Sequence, residues 1–383
     1  MNSKQRVAAA IEGRPVDRIP LGFYVVDCDT IEQVIGRKTY VRNKIERQLA
    51  FWEGRRDEVV ESYKRDTVEF FEKVDCVDLI TFKEADVVPP ADYEPDPPRR
   101  VAEDLWEDDR GRVFKASTLS NEIICIEDPT QRDVDDFTED MFPLPDEDEL
   151  EPPDPSRWEA CDYVAERLGR DRYIIGKSGG ITAFSLVGGQ ETGLMMYALK
   201  PEVVRAHNRR SVRVQGFMDR FRIRPGQDGV LLEQDMAGTT GPFISPEQFR
   251  RDCLPFLKER VEQIKRHVPH VVLHNCGDNR PFMEMFIEAG IDGYQSLQTN
   301  AGMELSHLIE RFGDRMVFWG GIATALLVGG TMEQVRTNVR EGLHKGAEAP
   351  GFILGPSHSV AYGTKYDNFM AMLDEYDRVS ASL

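Results

Sequence analysis

The stretch Val271-Val272-Leu273-His274-Asn275-Cys276-Gly277 is a short apolar run that ends in a histidine, a cysteine and a glycine. A run of this length, rich in β-branched residues and closed by glycine, predicts a buried strand. Amphipathic patterns typical of helices precede it at 246–267 and follow it at 280–289. A buried strand between two helices is the repeating unit of a parallel α/β sheet.

Similar apolar runs recur along the chain, separated by segments that are long enough for helices, including a clear helical pattern at 332–345. The eight predicted strands lie at 19–24, 77–82, 173–176, 229–233, 271–274, 293–296, 316–319 and 352–354. Eight such units predict a closed (β/α)8 TIM barrel. An open doubly wound sheet is the alternative, but no GxGxxG motif follows the first strand to favour it.

Residues 84–158 interrupt this alternation between the second and third predicted strands. The segment 85–98 holds five prolines, 106–115 has the pattern strand, tight turn, strand, and 133–155 holds eleven acidic residues without a lysine or arginine. An excursion at this end of a barrel is typical of a lid or a partner-facing rim. We therefore predict one domain over 1–383, with the first 18 residues forming a helical cap under the barrel.

Composition limits the function classes. The chain has 383 residues, with 67 acidic against 48 basic residues and a net charge of −19, which argues against binding to nucleic acid or to an anionic membrane surface. The six cysteines are scattered without a CxxC motif, and no apolar signal region or membrane-length apolar run is present. These features predict a reduced, cytoplasmic protein.

The strand at 271–274 carries the first candidate site. In an extended strand, residues two apart point to the same face, so His274 and Cys276 are predicted to converge. Histidine and cysteine together are ligands that zinc selects. His358, just beyond the last predicted strand, supplies a third ligand, because all strand ends of a barrel face one cavity. A satisfied histidine beside a free buried cysteine is the alternative for the pair taken alone.

Other polar residues follow the predicted strands at the same end of the barrel. Glu233 and Asp235 are also two apart, and they are candidates for acid–base catalysis, for completing a metal site or for anchoring a charged substrate. Asp235 is further suited to orient a metal-bound imidazole, and a salt-bridged pair that holds the loop is the alternative. The candidate substrate-binding residues are Asp27, Ser178, Gln295 and Gln298.

Four segments resemble the uroporphyrinogen decarboxylase superfamily and, within it, its zinc-dependent, corrinoid-linked methyltransferases. They are 6–20, 233–249, 274–277 and 355–360. The resemblance implies a (β/α)8 barrel and a zinc site of His274, Cys276 and His358. Methyltransferases of this superfamily carry a cysteine at the third place, so His358 is a departure that leaves the metal a stronger Lewis acid.

The decarboxylase branch is the alternative. Its arginine-rich motif is absent at 19–28, where Asp27 and the net charge of −19 disfavour a polyanionic porphyrin. The resemblance implies methyl transfer from a methylated small molecule, such as a methoxy compound, to the cobalt of a separate corrinoid protein. Transfer from a methylated corrinoid to a thiol or folate, and a non-catalytic binding role on the same barrel, stay open. A homodimer is also left open.

Overall fold

The computed structural model describes residues 1–85, 87–177 and 183–380. Its strands, in chain order, are β1 Leu79–Thr81, β2 Arg99–Ala102, β3 Leu105–Glu107, β4 Val113–Ser117, β5 Glu122–Glu127, β6 Tyr173–Lys177, β7 Gly229–Glu233, β8 Ala237–Gly238, β9 Gly241–Pro242, β10 His270–His274, β11 Gly293–Gln295, β12 Val317–Ile322 and β13 Phe352–Pro356. Its α-helices are α1 Ser3–Ile11, α2 Cys28–Ile35, α3 Lys44–Trp52, α4 Arg56–Lys73, α5 Glu159–Leu168, α6 Gln190–Leu199, α7 Pro201–Arg222, α8 Pro246–Asp252, α9 Leu254–Lys265, α10 Met283–Glu288, α11 Leu305–Phe312, α12 Thr324–Gly329, α13 Met332–Gly346 and α14 Tyr366–Ser380.

A curled sheet of seven parallel strands forms the wall of the fold. Its order is β1-β6-β7-β10-β11-β12-β13, and helices follow most of these strands. These strands coincide with seven of the eight predicted ones, to within a few residues at each end. The α/β class and the TIM-like barrel architecture predicted from the sequence are therefore confirmed at this level.

The first predicted strand, at 19–24, forms isolated parallel bridges instead of a continuous strand. Leu21 pairs with Leu354 of β13 and Gly22 with Leu79 of β1, so this segment joins the two edge strands of the sheet. In this segment the indole N–H of Trp319 donates to the carbonyl of Gly22 at 3.1 Å. A side chain at position 22 would stand 2.9 Å from that nitrogen, so only glycine fits.

Side chains along the barrel strands point alternately into two apolar clusters. The inward-facing cluster comprises strand residues together with Val7, Ala10 and Ile11 of α1, and its strand members include Leu79, Tyr173, Ile175, Leu231, Val272, Val317, Trp319 and Ile353. The opposite faces of the strands pack against the surrounding helices. Because side chains alternate along a strand, the next inward positions after Ile175, Leu231 and Val272 are the ends of β6, β7 and β10. Polar residues at those ends stand directly above an apolar layer.

The predicted helices agree in place but not in continuity. The pattern at 246–267 is divided into α8 and α9 at Cys253, where φ and ψ are −121° and −48° and Pro255 follows in the first turn of α9. Proline lacks the N–H that a continuous helix needs, so the break is local. The pattern at 280–289 begins as a 3-10 turn before α10. Helix α13 begins at its Thr331–Gln334 capping box, as the pattern at 332–345 predicts.

The excursion between β1 and β6 contains a separate antiparallel sheet of order β2-β3-β4-β5. The hairpin predicted at 106–115 is the β3–β4 pair. The acidic segment that follows has only short 3-10 turns, and it contacts the end of α6 where Lys200 Nζ donates to the carbonyl of Phe137 at 3.0 Å. A lid or rim role for this excursion stays a prediction. Within the described ranges, no helix combines the length and apolar character needed to cross a membrane.

Candidate metal centre

Three side chains predicted as ligands come together at the mouth of the barrel. His274 is the last residue of β10, Cys276 lies two residues beyond it, and His358 lies two residues beyond β13. One ligand atom from each residue lies within 4.8 Å of the others, and His274 Nε2 stands 3.7 Å from Cys276 Sγ. Within the described part of the chain, this is the group whose chemistry fits a metal ion.

The distance between His274 Nε2 and Cys276 Sγ is compatible with zinc. With ordinary zinc–sulfur and zinc–nitrogen bonds in tetrahedral geometry, sulfur and nitrogen ligands lie about 3.6 Å apart. The 3.7 Å between His274 Nε2 and Cys276 Sγ is close to this value. Three protein ligands of this kind leave a fourth position for a substrate atom or water, which is typical of catalytic zinc sites.

Both imidazoles are held through their second ring nitrogen. His274 Nδ1 is hydrogen-bonded to Gln295 Oε1, and His358 Nδ1 lies 2.9 Å from Ser359 Oγ. Such partners fix the tautomer and the orientation of a ligating ring. In both residues they leave Nε2 available for a metal. Burial lowers the pKa of His274 to about 4, so its imidazole is neutral, as ligation requires, across the neutral pH range.

Cys276 is held from two directions. Its sulfur lies 3.3 Å from Ser296 Oγ, and its backbone N–H donates to Asp235 Oδ1 at 2.9 Å. Burial raises the pKa of the Cys276 thiol to about 11, opposed in part by the contact with Ser296. A bound dication reverses this preference, because a coordinating thiol is deprotonated. The Cys276 side chain therefore lies where it could bind a metal, and its proton would leave if a metal bound there.

The backbone around Cys276 is tightly constrained. Asn275 is fully buried, and its Oδ1 accepts from the N–H of Met236 at 3.0 Å, while its carbonyl accepts from Tyr294 Oη at 2.6 Å. Gly277 has φ +87°, and a Cβ there would stand 2.4 Å from the carbonyl oxygen of Ala237. Since only glycine tolerates both conditions, the sequence Asn-Cys-Gly fixes where the thiol points.

Tyr24 forms the wall beside both histidines. Its ring is stacked on that of His274, with centroids 4.0 Å apart and planes 4° apart, and it meets His358 edge-on at 5.5 Å. Its hydroxyl donates to Glu233 Oε1 at 2.5 Å and accepts from Lys83 Nζ at 2.5 Å. Lys83 also pairs with Glu233, and Lys177 Nζ lies 3.6 Å from the other oxygen of that carboxylate.

Electrostatics keep Glu233 ionised. Burial opposes its charge, but the ammonium groups of Lys83 and Lys177 outweigh that effect and lower the pKa of Glu233 below its usual value. Asp235 does not continue β7, which ends at Glu233, and its carboxylate instead supports the Cys276 backbone. The two carboxylates therefore contact different partners, although both lie beside the metal-ligating segment.

Of the four residues predicted to bind substrate, the three that the structure describes differ in the contacts that they make. Gln295 contacts His274, as described, and Gln298 Oε1 accepts from the N–H of Gly277 at 2.9 Å. Asp27 forms a 3.1 Å ion pair with Arg42 and accepts from the N–H of Tyr362. Ser178 lies outside the described residues. A substrate role for these four residues stays a prediction.

Several residues of this site were missed at the sequence level. They are Tyr24, Arg42, Lys83, Lys177 and Ser296. Lys83 and Lys177 lie at or just beyond strand ends, so the strand-end rule that selected Glu233 also applies to them. Ser296 has φ +87°, which is unusual for a residue other than glycine, but no sequence pattern reveals it. Arg42 lies beyond α2, and only its long-range contact with Asp27 brings it near the mouth.

Glu84 gives a pH-dependent prediction. It is fully buried, it accepts from the N–H of Val26 at 2.9 Å, and burial raises its pKa to about 7. A carboxyl whose pKa is raised by folding contributes stability below its unfolded pKa and loses it as pH rises through the folded value. We expect the free energy of unfolding of the wild type, relative to Glu84→Gln, to fall by about 3 kcal/mol between about pH 4.5 and 7. Urea denaturation of both proteins across this range measures the difference, and a constant difference would contradict the assignment.

Comparisons with known proteins agree with this fold. The model of the uroporphyrinogen decarboxylase (URO-D) family matches residues 126–379, more than half of the chain. No curated protein matches. Among solved structures, a methyltransferase from Methanosarcina mazei is 16% identical, with 99% of each chain covered and a TM-score of 0.67. At this identity the likeness concerns the fold alone.

Proposed function

Since the chain belongs to the uroporphyrinogen decarboxylase family, we propose that it is the zinc-dependent, corrinoid-linked kind of methyltransferase found on this fold. Its substrate in this proposal is a methylated small molecule, preferably a methoxy compound, and the methyl acceptor is the corrinoid of a separate protein. The observation that carries the proposal is the convergence of His274, Cys276 and His358 at the barrel mouth. A decarboxylase needs no such donor set, whereas a methyltransferase of this kind does.

The ligand set favours activation of an ether oxygen. His274, Cys276 and His358 would hold zinc through two neutral imidazoles and one thiolate, a set that would leave it a net positive charge and supply a Lewis acid for a substrate oxygen. The thiolate comes from Cys276, and the contact of Ser296 Oγ with its sulfur moderates the basicity of that ligand. Gln295 and Ser359 hold the imidazoles in place, so the ligands need little reorganisation when substrate arrives.

Charged side chains beside the ligands supply protons and orient substrate in this proposal. When the methyl group leaves as a cation equivalent, the substrate oxygen keeps the bonding pair and needs a proton to be released as an alcohol or phenol. Lys83 and Asp235 are candidates to deliver it, because both lie near the ligands and Asp235 is exposed to solvent. Glu233 is already engaged by Tyr24 and two lysines, which makes it a poorer proton donor.

In this proposal a separate corrinoid protein docks at the mouth of the barrel. Many of the exposed large apolar residues belong to segments that follow the carboxyl ends of barrel strands or to the excursion, and they include Met141, Leu144, Met195, Leu199, Phe243 and Tyr362. Exposed apolar side chains of this kind are candidates for contacts with such a partner. A corrinoid protein docked there would bring its cobalt to the open position above His274 and Cys276.

The direct test is spectroscopic. Purified protein loaded with zinc is incubated with chemically reduced cobalamin and a panel of methoxyarenes, methylamines and methylthiols. The proposal expects the methylcobalamin spectrum to develop with at least one methoxyarene and not without enzyme. No methylcobalamin with any donor, from protein that holds stoichiometric zinc, would contradict it.

A decarboxylase is the second candidate, and a specific observation favours it. Cationic side chains lie at the mouth, where the sequence indicated no arginine, and they are Arg42, Lys83 and Lys177. A carboxylate substrate requires cations of this kind for binding. Each of the three, however, already has a carboxylate partner in Asp27 or Glu233. Carbon dioxide release from porphyrinogen carboxylates by metal-free protein would favour this candidate over the methyltransferase.

A further inference from the structure

We propose that Tyr24 is a positioning residue for both imidazoles of the metal site, and that Glu233 and Lys83 act through it rather than on the metal. This inference rests on the metal site of the proposed function and assigns Tyr24, Lys83 and Glu233 a joint role. The ring of Tyr24 is buried. It contacts the ring of His274 face to face and the ring of His358 edge-on at the same time.

The geometry of the Tyr24 ring fixes two degrees of freedom. The parallel stack at 4.0 Å prevents the imidazole of His274 from rotating about its side-chain bonds without breaking contact with Tyr24. The edge-on contact at 5.5 Å limits His358 in the same way. His274 ends β10 and His358 lies two residues beyond β13, and these strands are not neighbours in the sheet, so no backbone pairing sets the relative orientation of the two imidazoles. The imidazoles meet each other edge-on with centroids 5.2 Å apart, and the Tyr24 ring, in contact with both, completes a cluster of three rings.

Hydrogen bonds to the hydroxyl in turn fix the Tyr24 ring. The Tyr24 hydroxyl donates to Glu233 Oε1 at 2.5 Å and accepts from Lys83 Nζ at 2.5 Å. The same ammonium group lies 4.3 Å from the centroid of the Tyr24 ring. Because Lys83 also pairs with Glu233, the three groups form a closed cluster. A buried carboxylate with this many partners is stabilised where it is, and moving it onto a metal would leave Lys83 without its counter-charge.

The test measures metal binding and not catalysis. Cobalt(II) replaces zinc in the purified full chain, and its visible absorption reports the ligands and their geometry. Tyr24→Leu removes the ring, Tyr24→Phe keeps the ring and removes the hydroxyl, and Glu233→Gln removes the charge. Phe249→Leu is the matched control, since it deletes a buried ring stacked on Phe282 at 4.5 Å among the helices.

The expected order of cobalt affinities among the variants distinguishes the contribution of the Tyr24 ring from that of its hydroxyl. Outer partners of metal ligands contribute about 10- to 100-fold to affinity, so Tyr24→Leu is expected to weaken cobalt binding by about that factor and to broaden its spectrum. Tyr24→Phe is expected to lose less than Tyr24→Leu, and Glu233→Gln to leave the band positions unchanged because no ligand is lost. Phe249→Leu is expected to bind cobalt as the wild type does. Should Tyr24→Leu fail to fold, Tyr24→Met takes its place, because methionine adapts to irregular space.

Two results would overturn this inference. One is wild-type cobalt affinity and spectrum in folded Tyr24→Leu or Tyr24→Met. The other is a changed band pattern in Glu233→Gln, which would make Glu233 a ligand. Failure of the proposed function looks different, since the wild type itself would then bind no metal, or would bind it and form no methylcobalamin.

Discussion

We expect the Cys276→Ala protein to hold no stoichiometric zinc and to transfer no methyl group, while its barrel remains folded. Loss of the only thiolate among the three predicted ligands leaves two neutral imidazoles, which hold zinc weakly. The Cys276 side chain is partly exposed at the barrel mouth and is not part of either apolar cluster, so its removal opens no core cavity. A loss of at least about 100-fold in metal affinity is expected.

Elemental analysis, methylcobalamin formation and circular dichroism together check this prediction. Cys125→Ala is the matched control, because Cys125 is exposed on β5 of the antiparallel sheet and contacts none of the predicted ligands. The control is expected to keep both zinc and activity. If Cys276→Ala retained one zinc per chain and wild-type turnover, Cys276 would not be a ligand.

A second large effect is expected from Gly277→Ala. The added Cβ would stand 2.4 Å from the carbonyl oxygen of Ala237, in a backbone conformation of φ +87° that alanine adopts only at a cost. Relief requires Gly277 or the Ala237 segment to move, and either movement shifts Cys276. We expect the free energy of unfolding to fall by about 2–4 kcal/mol and zinc affinity to fall as well.

A control variant distinguishes the stability cost of the positive φ from the cost of the steric clash at Gly277. Gly36 ends α2 with φ +76°, and a Cβ there has no heavy atom within 4 Å. Gly36→Ala is therefore expected to cost about 1 kcal/mol and to leave zinc binding unchanged. Urea denaturation and zinc titration of both variants provide the comparison. Equal destabilisation of the two, with zinc affinity intact in both, would mean that the loop at Gly277 adapts without moving the thiol.

Local patterns were sufficient to predict most of the barrel. Buried parallel strands appear as short apolar runs, so β7, β10 and β13 were located to within two residues. The first strand was predicted as continuous, yet only isolated bridges form there. In that segment the carbonyl of Gly22 accepts from the indole of Trp319, which is 297 residues away in the sequence. Contacts of this range have no signature in a local pattern.

The candidate site was predictable where it follows the strand ends. His274 and Cys276 are two residues apart at a strand end, and the barrel rule added His358 from the far end of the chain. Tyr24 was missed because a tyrosine in an apolar run has the appearance of a core residue. Its role depends on which rings it meets, and on its hydroxyl contacts with Glu233 at the end of β7 and with Lys83 just beyond β1. Contacts among side chains from different strands arise only in the three-dimensional fold, so they leave no pattern in the sequence.

Zinc titration into metal-free protein tests the central claim most directly. Protein stripped with a chelator is given increasing zinc, and the rate of methylcobalamin formation from reduced cobalamin and a methoxyarene donor is followed at each addition. We expect no transfer without zinc, a linear rise in rate as zinc is added, and a plateau at one equivalent per chain. Full activity in the stripped protein, or a rate that does not respond to zinc, would contradict it.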